Sequence, residues 1–559
     1  MTAANIMARS AAGRGLGPLR LAAGLVALLL AVPVLGVLAS LFEPDRGTIA
    51  HLAGTVLGDY IANTIWLVLG VALGTFMVGT ATAWTVTMCR FPGRRIMEWA
   101  LVLPLAMPAY VIAYLYTDML QFSGPVQSAL RAATGWGPGE YWFPEIHSLG
   151  GAILMFIAVL YPYVYLLARA AFLEQSICVI DVSRTLGCTP WGSFFRVALP
   201  LARPAIAGGV ALALMETLAD FGTVSYFGLQ TFTTGIYRAW FSMGDRVAAG
   251  KLSCMLLLFA ISVLAFERWS RGQARYHHTT QRYRPIQPFH LGRAQALAAL
   301  AVCLLPLAIG FILPALTLLR LAFAGGDAQF GARYLGLVAN SVTLAGIAAA
   351  IAVTLATLIG YGMRLKAGLI VTIAGRLAGM GYAIPGSIIA VGVLIPLASL
   401  DNLIDGWARA GLGISTGLLL TGGIFGLVYA YNVRFLAISL QSVEASLAKI
   451  PPSIDHAARA LGASAAGTLW RVHRPLLSGG MLSAFLIVFV DVMKELPATL
   501  LMRPFNFDTL AVQAYNLASD ERLAEASTAA LAIVAVGLVP VLIVSRSMRQ
   551  VRPGAREPE

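Results

Sequence analysis

The chain has 559 residues, 58% of them hydrophobic and only 12% charged, with a formal net charge of +13. Soluble globular domains run at roughly 45–50% apolar and about 25% charged, so a water-soluble globular fold is excluded and a polytopic membrane protein is expected. Runs of about 20 apolar residues, enough to cross a hydrocarbon core of roughly 30 Å, set the number of spans.

Twelve such runs follow in chain order, six in each half. They lie near 18–42, 60–86, 97–119, 149–171, 201–224, 250–267, 295–321, 337–363, 375–398, 415–438, 476–500 and 525–545. The runs do not alternate like barrel strands, and backbone groups in lipid must be satisfied within the segment, so all are expected to be helices. The first run exceeds the roughly 7–15 apolar residues of a signal peptide, although Val37-Leu38-Ala39-Ser40 has the look of a cleavage site; an uncleaved first helix is expected. Lys and Arg crowd into alternate loops: Arg9 to Arg20, Arg90 to Arg95, Arg184 and Arg196, Arg268 to Arg293, Arg364 to Arg376, Lys449 to Arg474, and Arg546 to Arg556. Both termini are therefore expected in the cytoplasm, and topology rather than nucleic acid accounts for the positive charge. Cys89, Cys178, Cys188, Cys254 and Cys303 show neither Cys-x-x-Cys nor Cys/His ligand spacing, so no disulfide or zinc site is implied.

Two loops share one internal pattern. Asp181-Val182-Ser183-Arg184-Thr185-Leu186-Gly187 runs on to Val197-Ala198-Leu199-Pro200, and His456-Ala457-Ala458-Arg459-Ala460-Leu461-Gly462 runs on to Val472-His473-Arg474-Pro475. Arg184, Leu186, Gly187, Gly192, Arg196, Val197 and Pro200 map onto Arg459, Leu461, Gly462, Gly467, Arg471, Val472 and Pro475 at a constant offset of 275, which is the mark of duplication. Asn63, Leu67, Ala72, Ala106, Pro108, Ile112 and Ala113 likewise match Asn340, Leu344, Ala349, Ala383, Pro385, Ile389 and Ala390 at an offset of 277. An even number of helices per repeat keeps both halves in one orientation, so a pseudo-two-fold along the membrane normal is expected. The expected division is a first repeat over 1–268 with its loop at 174–200, a basic linker over 269–294 containing His277 and His278, a second repeat over 295–546 with its loop at 441–475, and a tail over 547–559.

Both loops resemble the cytoplasmic coupling loop of ABC importer membrane subunits, whose pattern is Glu-Ala-Ala, three residues, Gly, nine residues, Ile-x-Leu-Pro. Gly187 and Gly462 sit where a short helix can end in a left-handed turn, and Pro200 and Pro475 lead into the next membrane helix. The resemblance assigns ATPase coupling to Asp181, Arg184, Leu186, Gly187 and Pro200, and to His456, Arg459, Leu461, Gly462 and Pro475. Asp181 keeps the family's acidic position; His456 replaces it, which leaves the second loop's polar contact undefined. No Gly-x-x-x-x-Gly-Lys-Ser/Thr phosphate loop occurs, so the ATPase is expected on another polypeptide.

The fifth run of each half carries paired acids, Glu216 and Asp220 in one and Asp491 and Glu495 in the other, each spaced to share one helical face. Ionisable groups at the centre of a membrane span cost at least roughly 2.5–3.5 kcal/mol each, so four in matching places suggest a hydrated, cation-attracting path. Carboxylate oxygens suit a hard cation, and the four acids are candidate metal ligands as well as pathway residues. The alternative is that they pair with Lys494, Arg238 or Arg503, or cap helix ends, and hold the gate together.

The segments from Glu216 to Lys251 and from Asp491 to Ala526 resemble the fused ferric-iron permeases of bacteria, and the likeness extends from about residue 55 to 545. It implies an all-α type I importer permease in the bacterial inner membrane, without catalytic residues or cofactor. Its partners would be a cytoplasmic ABC ATPase dimer and a periplasmic substrate-binding protein, with Fe(III) as cargo and no nucleic acid. Thiamine, phosphonate, sulfate or polyamine remain alternative cargoes on the same architecture. A proton-coupled secondary transporter, with the acids as a relay, is the rival class. The loop from about Gln121 to Ser148 is longer than its counterpart and holds Trp136, Glu140, Tyr141, Trp142 and Glu145, suited to a partner or to the membrane interface.

Overall fold

The computed structural model describes residues 17–45, 47–174, 190–271, 289–325, 331–365 and 367–550. The chain passes through α1 (Gly17–Ala39), α2 (Leu57–Met88), α3 (Arg94–Ala100), α4 (Ala109–Leu120), α5 (Pro125–Thr134), α6 (Leu149–Glu174), α7 (Leu199–Ala219), α8 (Gly222–Tyr226) and α9 (Arg246–Arg271). It continues through α10 (Arg293–Leu307), α11 (Leu313–Gly325), α12 (Ala332–Arg364), α13 (Leu369–Met380), α14 (Gly386–Leu412), α15 (Phe425–Ala448), α16 (Pro452–Ala460), α17 (Arg474–Met493), α18 (Pro497–Met502), α19 (Leu510–Ser519) and α20 (Leu523–Gln550). The only extended pairing among the described residues joins Cys89–Arg90 to Phe289–His290 in parallel.

Ten described helical stretches are long and apolar enough to cross a membrane, or eleven if the bent pair Arg94–Ala106 and Ala109–Thr134 is one span. The expectation of twelve continuous runs is corrected at defined places. The third run of each repeat is broken: the pair in the first repeat bends by 92°. A residue preceding proline is pushed out of the helical region, and Met107 before Pro108 and Ile384 before Pro385 are both extended, each after a short 3-10 turn. The run expected at 415–438 instead becomes α15, ten residues further on, because Asp401 and Asp405 of α14 gather the preceding loop. Asp401 accepts from the amides of Leu419, Leu420 and Thr421 at 3.1, 2.8 and 2.9 Å, and Asp405 from those of Thr416 and Gly417 at 2.8 and 3.2 Å.

Two compact units form, and their boundaries cross the sequence halves. One contains Met1–Ile49, Ile236–Cys254 and Leu335–Val512; the other contains Ala50–Gly235, Met255–Tyr334 and Gln513–Glu559. In the first unit α1 packs on α13 and α14, and α15 packs on α17. In the second, α10 lies against α2 and α11 against α20, while α6 is held between α2 and α7. Each unit therefore takes its opening long helix from the opposite repeat. Small and aromatic side chains such as Ala83, Val86, Tyr161, Val164 and Ala168 fill the interior of the second unit. Large apolar side chains including Trp66 and Leu297 face outward, as lipid contact requires.

Duplication survives at the level of single contacts. The Asn63 side chain donates to the carbonyl of Gln230 at 2.9 Å, and Asn340 donates to that of Asp508 at 3.1 Å, each within its own unit. Five-residue π turns, Phe194–Ala198 and Leu469–His473, occupy equivalent places before α7 and α17. Pro200 and Pro475 are the second residues of those helices and lack the N–H that an α-helical ladder would use, so the widened turn precedes each.

Candidate functional site

The second repeated loop is built around α16. Pro452 opens the helix, where its missing N–H and fixed φ fit, and the helix ends in a two-bond turn. The amide of Ala463 donates to the Ala458 carbonyl and that of Gly462 to Arg459, both at 3.0 Å, while Gly462 holds a left-handed φ of 81°. Ser464 then starts the next turn by accepting from the amide of Gly467 at 3.1 Å. The helix–turn–helix expected from the spacing is thus present, with the glycine in the conformation that only glycine adopts without strain. Its tip is solvent-facing: His456, Arg459 and Gly462 are exposed, and Leu461 is 89% exposed.

The acid that ties this loop down is Asp455, one residue before the position the sequence pattern pointed to. Arg364, at the end of α12, donates through Nε and Nη2 to Asp455 Oδ2 at 2.8 and 2.7 Å. The same guanidinium reaches the carbonyls of Leu447 and Ile450 at the end of α15, at 2.6 and 2.8 Å. His473, fully buried in the π turn, meets Asp455 Oδ1 through Nε2 at 2.5 Å and packs against the Tyr361 ring, whose hydroxyl donates to Ala465. Burial raises the Asp455 carboxyl, but the hydrogen bonds from Arg364 and His473 outweigh it and hold the group below its ordinary range. Arg364, Asp455 and His473 therefore lock α12, α15, α16 and α17 together beneath the exposed tip. Sequence reading missed them because it followed the aligned column; the signal was a carboxylate in the first turn of a short helix, with an arginine closing a membrane run. In the first loop Asp181, Arg184, Leu186 and Gly187 lie outside the described residues, and Pro200 and Pro475 occupy matching exposed positions.

The intramembrane acids are not placed as the spacing suggested. Glu216 and Asp491 lie within α7 and α17, but both helices stop before the second acid, so neither pair shares one continuous helical face. Asp220 instead opens α8, accepting from the Thr223 amide at 2.8 Å and its hydroxyl at 3.1 Å. Glu495 opens α18, accepting from the amides of Ala498 and Thr499 at 2.8 and 3.0 Å and the Thr499 hydroxyl at 2.6 Å. Such caps contribute roughly 0.5–2 kcal/mol each and position the acid at the positive end of a short helix. The helix-capping alternative thus describes Asp220 and Glu495.

Asp491 pairs with Lys494 at 2.9 Å, as one of the anticipated partners, whereas Arg503 turns to Asp508. Glu495 has a partner that sequence reading did not anticipate. Arg434 of α15 reaches it at 3.4 Å, with side chains only 7% and 2% exposed. Gly386 makes the room: a Cβ there would lie 2.8 Å from Arg434 Nη1 and 3.0 Å from Glu495 Oε1. The matching positions in the first repeat are Ala109 and Leu166, so the first repeat carries neither the glycine nor the arginine there. Among the described residues, no three His, Cys, Asp or Glu side chains gather as a metal-holding group.

In the loop expected to meet a partner, Tyr141 is a brace. Its hydroxyl accepts from Arg131 of α5 at 3.0 Å and donates to Gln127 at 2.7 Å, and its ring stacks on Trp136. Glu140 accepts from the amide of Gly137 at 2.7 Å, while Trp142 stands 86% exposed at the tip.

Residues 70–271 match the family described as binding-protein-dependent transport system inner membrane component. The chain is 25% identical over 497 residues to the Fe(3+)-transport system permease protein FbpB 2 of Haemophilus influenzae, covering 88% of this chain and 90% of that one. It is 23% identical over 531 residues to the ferric transport system permease protein FbpB of Actinobacillus pleuropneumoniae, covering 88% and 72% respectively. A shorter relative, the molybdenum transport system permease protein ModB of Escherichia coli, is 27% identical over 199 residues, which is 34% of this chain and 83% of that protein.

Proposed function

We propose that this chain, a two-repeat membrane permease of the binding-protein-dependent import family, carries ferric iron across the bacterial inner membrane. It takes Fe(III) from a periplasmic binding protein and releases it to the cytoplasm, driven by a separate ABC ATPase dimer. The observation that carries this reading is the near full-length similarity to ferric permeases, which spans both repeats. The chain itself is a transport subunit and supplies no ATP site.

The two repeated loops are the coupling surfaces, and both termini lie on their side of the membrane by the distribution of Lys and Arg. An exposed apolar tip on a rigid, multiply anchored turn supports this for the second loop, since Leu461 has the chemistry of a residue meant to be covered by a partner. ATP-driven closure of the partner draws the loops together and opens the permease outward, so the path is exposed only while the binding protein caps it. Glu216, Asp220, Asp491 and Glu495 border that path. Two of the four support the gate by capping the short helices that follow α7 and α17.

Co-purification tests the coupling surface. Leu461→Asp should abolish capture of the ATPase subunit and leave insertion unchanged, and capture at the wild-type yield would contradict the assignment. Iron is tested separately, by offering ferric iron, molybdate and sulfate with the binding protein of each to one reconstituted assembly.

A further inference from the structure

Around Tyr226 in α8 the second unit gathers hard oxygen donors that belong neither to the coupling loop nor to the helix-capping acids. The Tyr114 ring of α4 stands edge-on to that of Tyr226 at 6.3 Å, and the exposed His147 ring lies 5.8 Å from it. Asp118, one turn beyond Tyr114 on the same face of α4, and Glu521, between α19 and α20, both act electrostatically on the Tyr226 phenol. Ser225 and Tyr515 share a hydrogen bond at 3.1 Å beside it. The group runs from accessible to buried: Glu521 is exposed, Asp118 and Tyr226 are half-buried, and Tyr114 is 1% exposed. At the buried end, the hydroxyls of Tyr114 and Thr117 have no hydrogen-bond partner among the described residues. An unsatisfied buried hydroxyl costs roughly 1–3 kcal/mol, so a protein retains one where something else uses it.

Packing does not require these phenols. At the equivalent places in the second repeat stand Val391, Ile395 and Leu501, and Val391 and Leu501 are buried. Aliphatic side chains thus stand at the positions of Tyr114, Asp118 and Tyr226 in the other copy of the fold, while Glu521 is supplied by the second repeat. Phenolate and carboxylate oxygens are hard ligands, and a trivalent cation is the class of species that gains most from them.

We propose that Tyr114 and Tyr226, with the carboxylates of Asp118 and Glu521, form a transient staging site for the ferric ion in the second unit. The proposal rests on the ferric reading of the cargo. As the ion arrives, an Fe–O bond forms to a phenol while its O–H bond breaks, and the proton passes to Asp118 or Glu521. Both steps reverse as the ion moves on, and the iron stays ferric throughout. The donors come from three elements, α4, α8 and the turn between α19 and α20, and return of the proton to the phenol lets the ion move on.

Two readouts on the full assembly of permease, ATPase and iron-loaded binding protein test this. In proteoliposomes, Tyr114→Phe/Tyr226→Phe should import ferric iron about tenfold more slowly than wild type, equivalent to about 1.4 kcal/mol. With ferric citrate as probe, the wild-type permease should gain a visible phenolate-to-iron charge-transfer band that the double variant lacks. Tyr116→Phe is the control, because that phenol on the same helix donates to the Ile309 carbonyl at 2.8 Å; it should keep the band and the uptake. Wild-type uptake by the double variant, or no band in the wild type, would overturn the staging site alone. A wild-type assembly that imports another cargo and no ferric iron would overturn the ferric reading and the staging site with it.

Discussion

Removing the Asp455 carboxylate would leave the Arg364 guanidinium partly buried against two helix ends with its main counter-charge gone, a loss of about 3–5 kcal/mol when a buried pair is broken from one side. Asp455→Ala should therefore loosen α16 and uncouple transport from ATP hydrolysis, measured as loss of binding-protein-stimulated ATPase activity. His456→Ala, at an exposed side chain, should change that activity little; equal loss in both would contradict the geometry. Because Asp455 titrates below its ordinary value of about 3.9, its contribution is present above that pH and is lost as the pH falls through the lower folded value. Limited proteolysis at the loop should rise on acidification below about pH 4 in the wild type and be high at all pH values in Asp455→Ala. At Arg434 the same logic predicts a strong coupling between partners. Arg434→Leu alone should cripple insertion or transport, since Glu495 stays buried with its charge uncompensated. Adding Glu495→Gln should restore part of the loss, and additive losses in the double-variant cycle would mean the two side chains do not interact.

The turn at Gly462 and the broken third runs show how far element-level structure could be read in advance. The helix–turn–helix at Gly462 was legible because glycine spacing reports backbone conformation directly, and φ is indeed left-handed there. The breaks at Pro108 and Pro385 were not, although both prolines stood in the duplicated set; hydropathy registers apolar length and is blind to the extended residue that proline imposes before it. Capping by Asp220 and Glu495 was hidden for a related reason. An i, i+4 spacing implies a shared face only while the helix continues, and here α7 and α17 end between the acids. At Gly462, substitution by Ala should cost roughly 1–2 kcal/mol for the left-handed conformation. Gly462→Pro should go further, since it also removes the amide that bonds to Arg459. The expected result is a protein that inserts normally and no longer co-purifies with the ATPase; normal capture and uptake by the proline variant would remove the loop from coupling.

The exchange of opening helices between repeats, α1 into one unit and α10 with α11 into the other, is the property of the whole molecule that least resembles its sequence. Repeat matching shows which segments are equivalent and says nothing about which neighbour each packs on, so the compact units do not follow the division at 1–268 and 295–546 expected from the sequence. ATP, and not a proton gradient, is expected to drive ferric import through the whole assembly. Proteoliposomes containing this chain and its ATPase would be given binding protein loaded with radioactive ferric iron, with either internal ATP or an imposed proton gradient as the sole energy source. Accumulation of iron only with ATP and only with the binding protein is the predicted result. Accumulation on the proton gradient without ATP, or none under either condition while molybdate or sulfate enters, would contradict it.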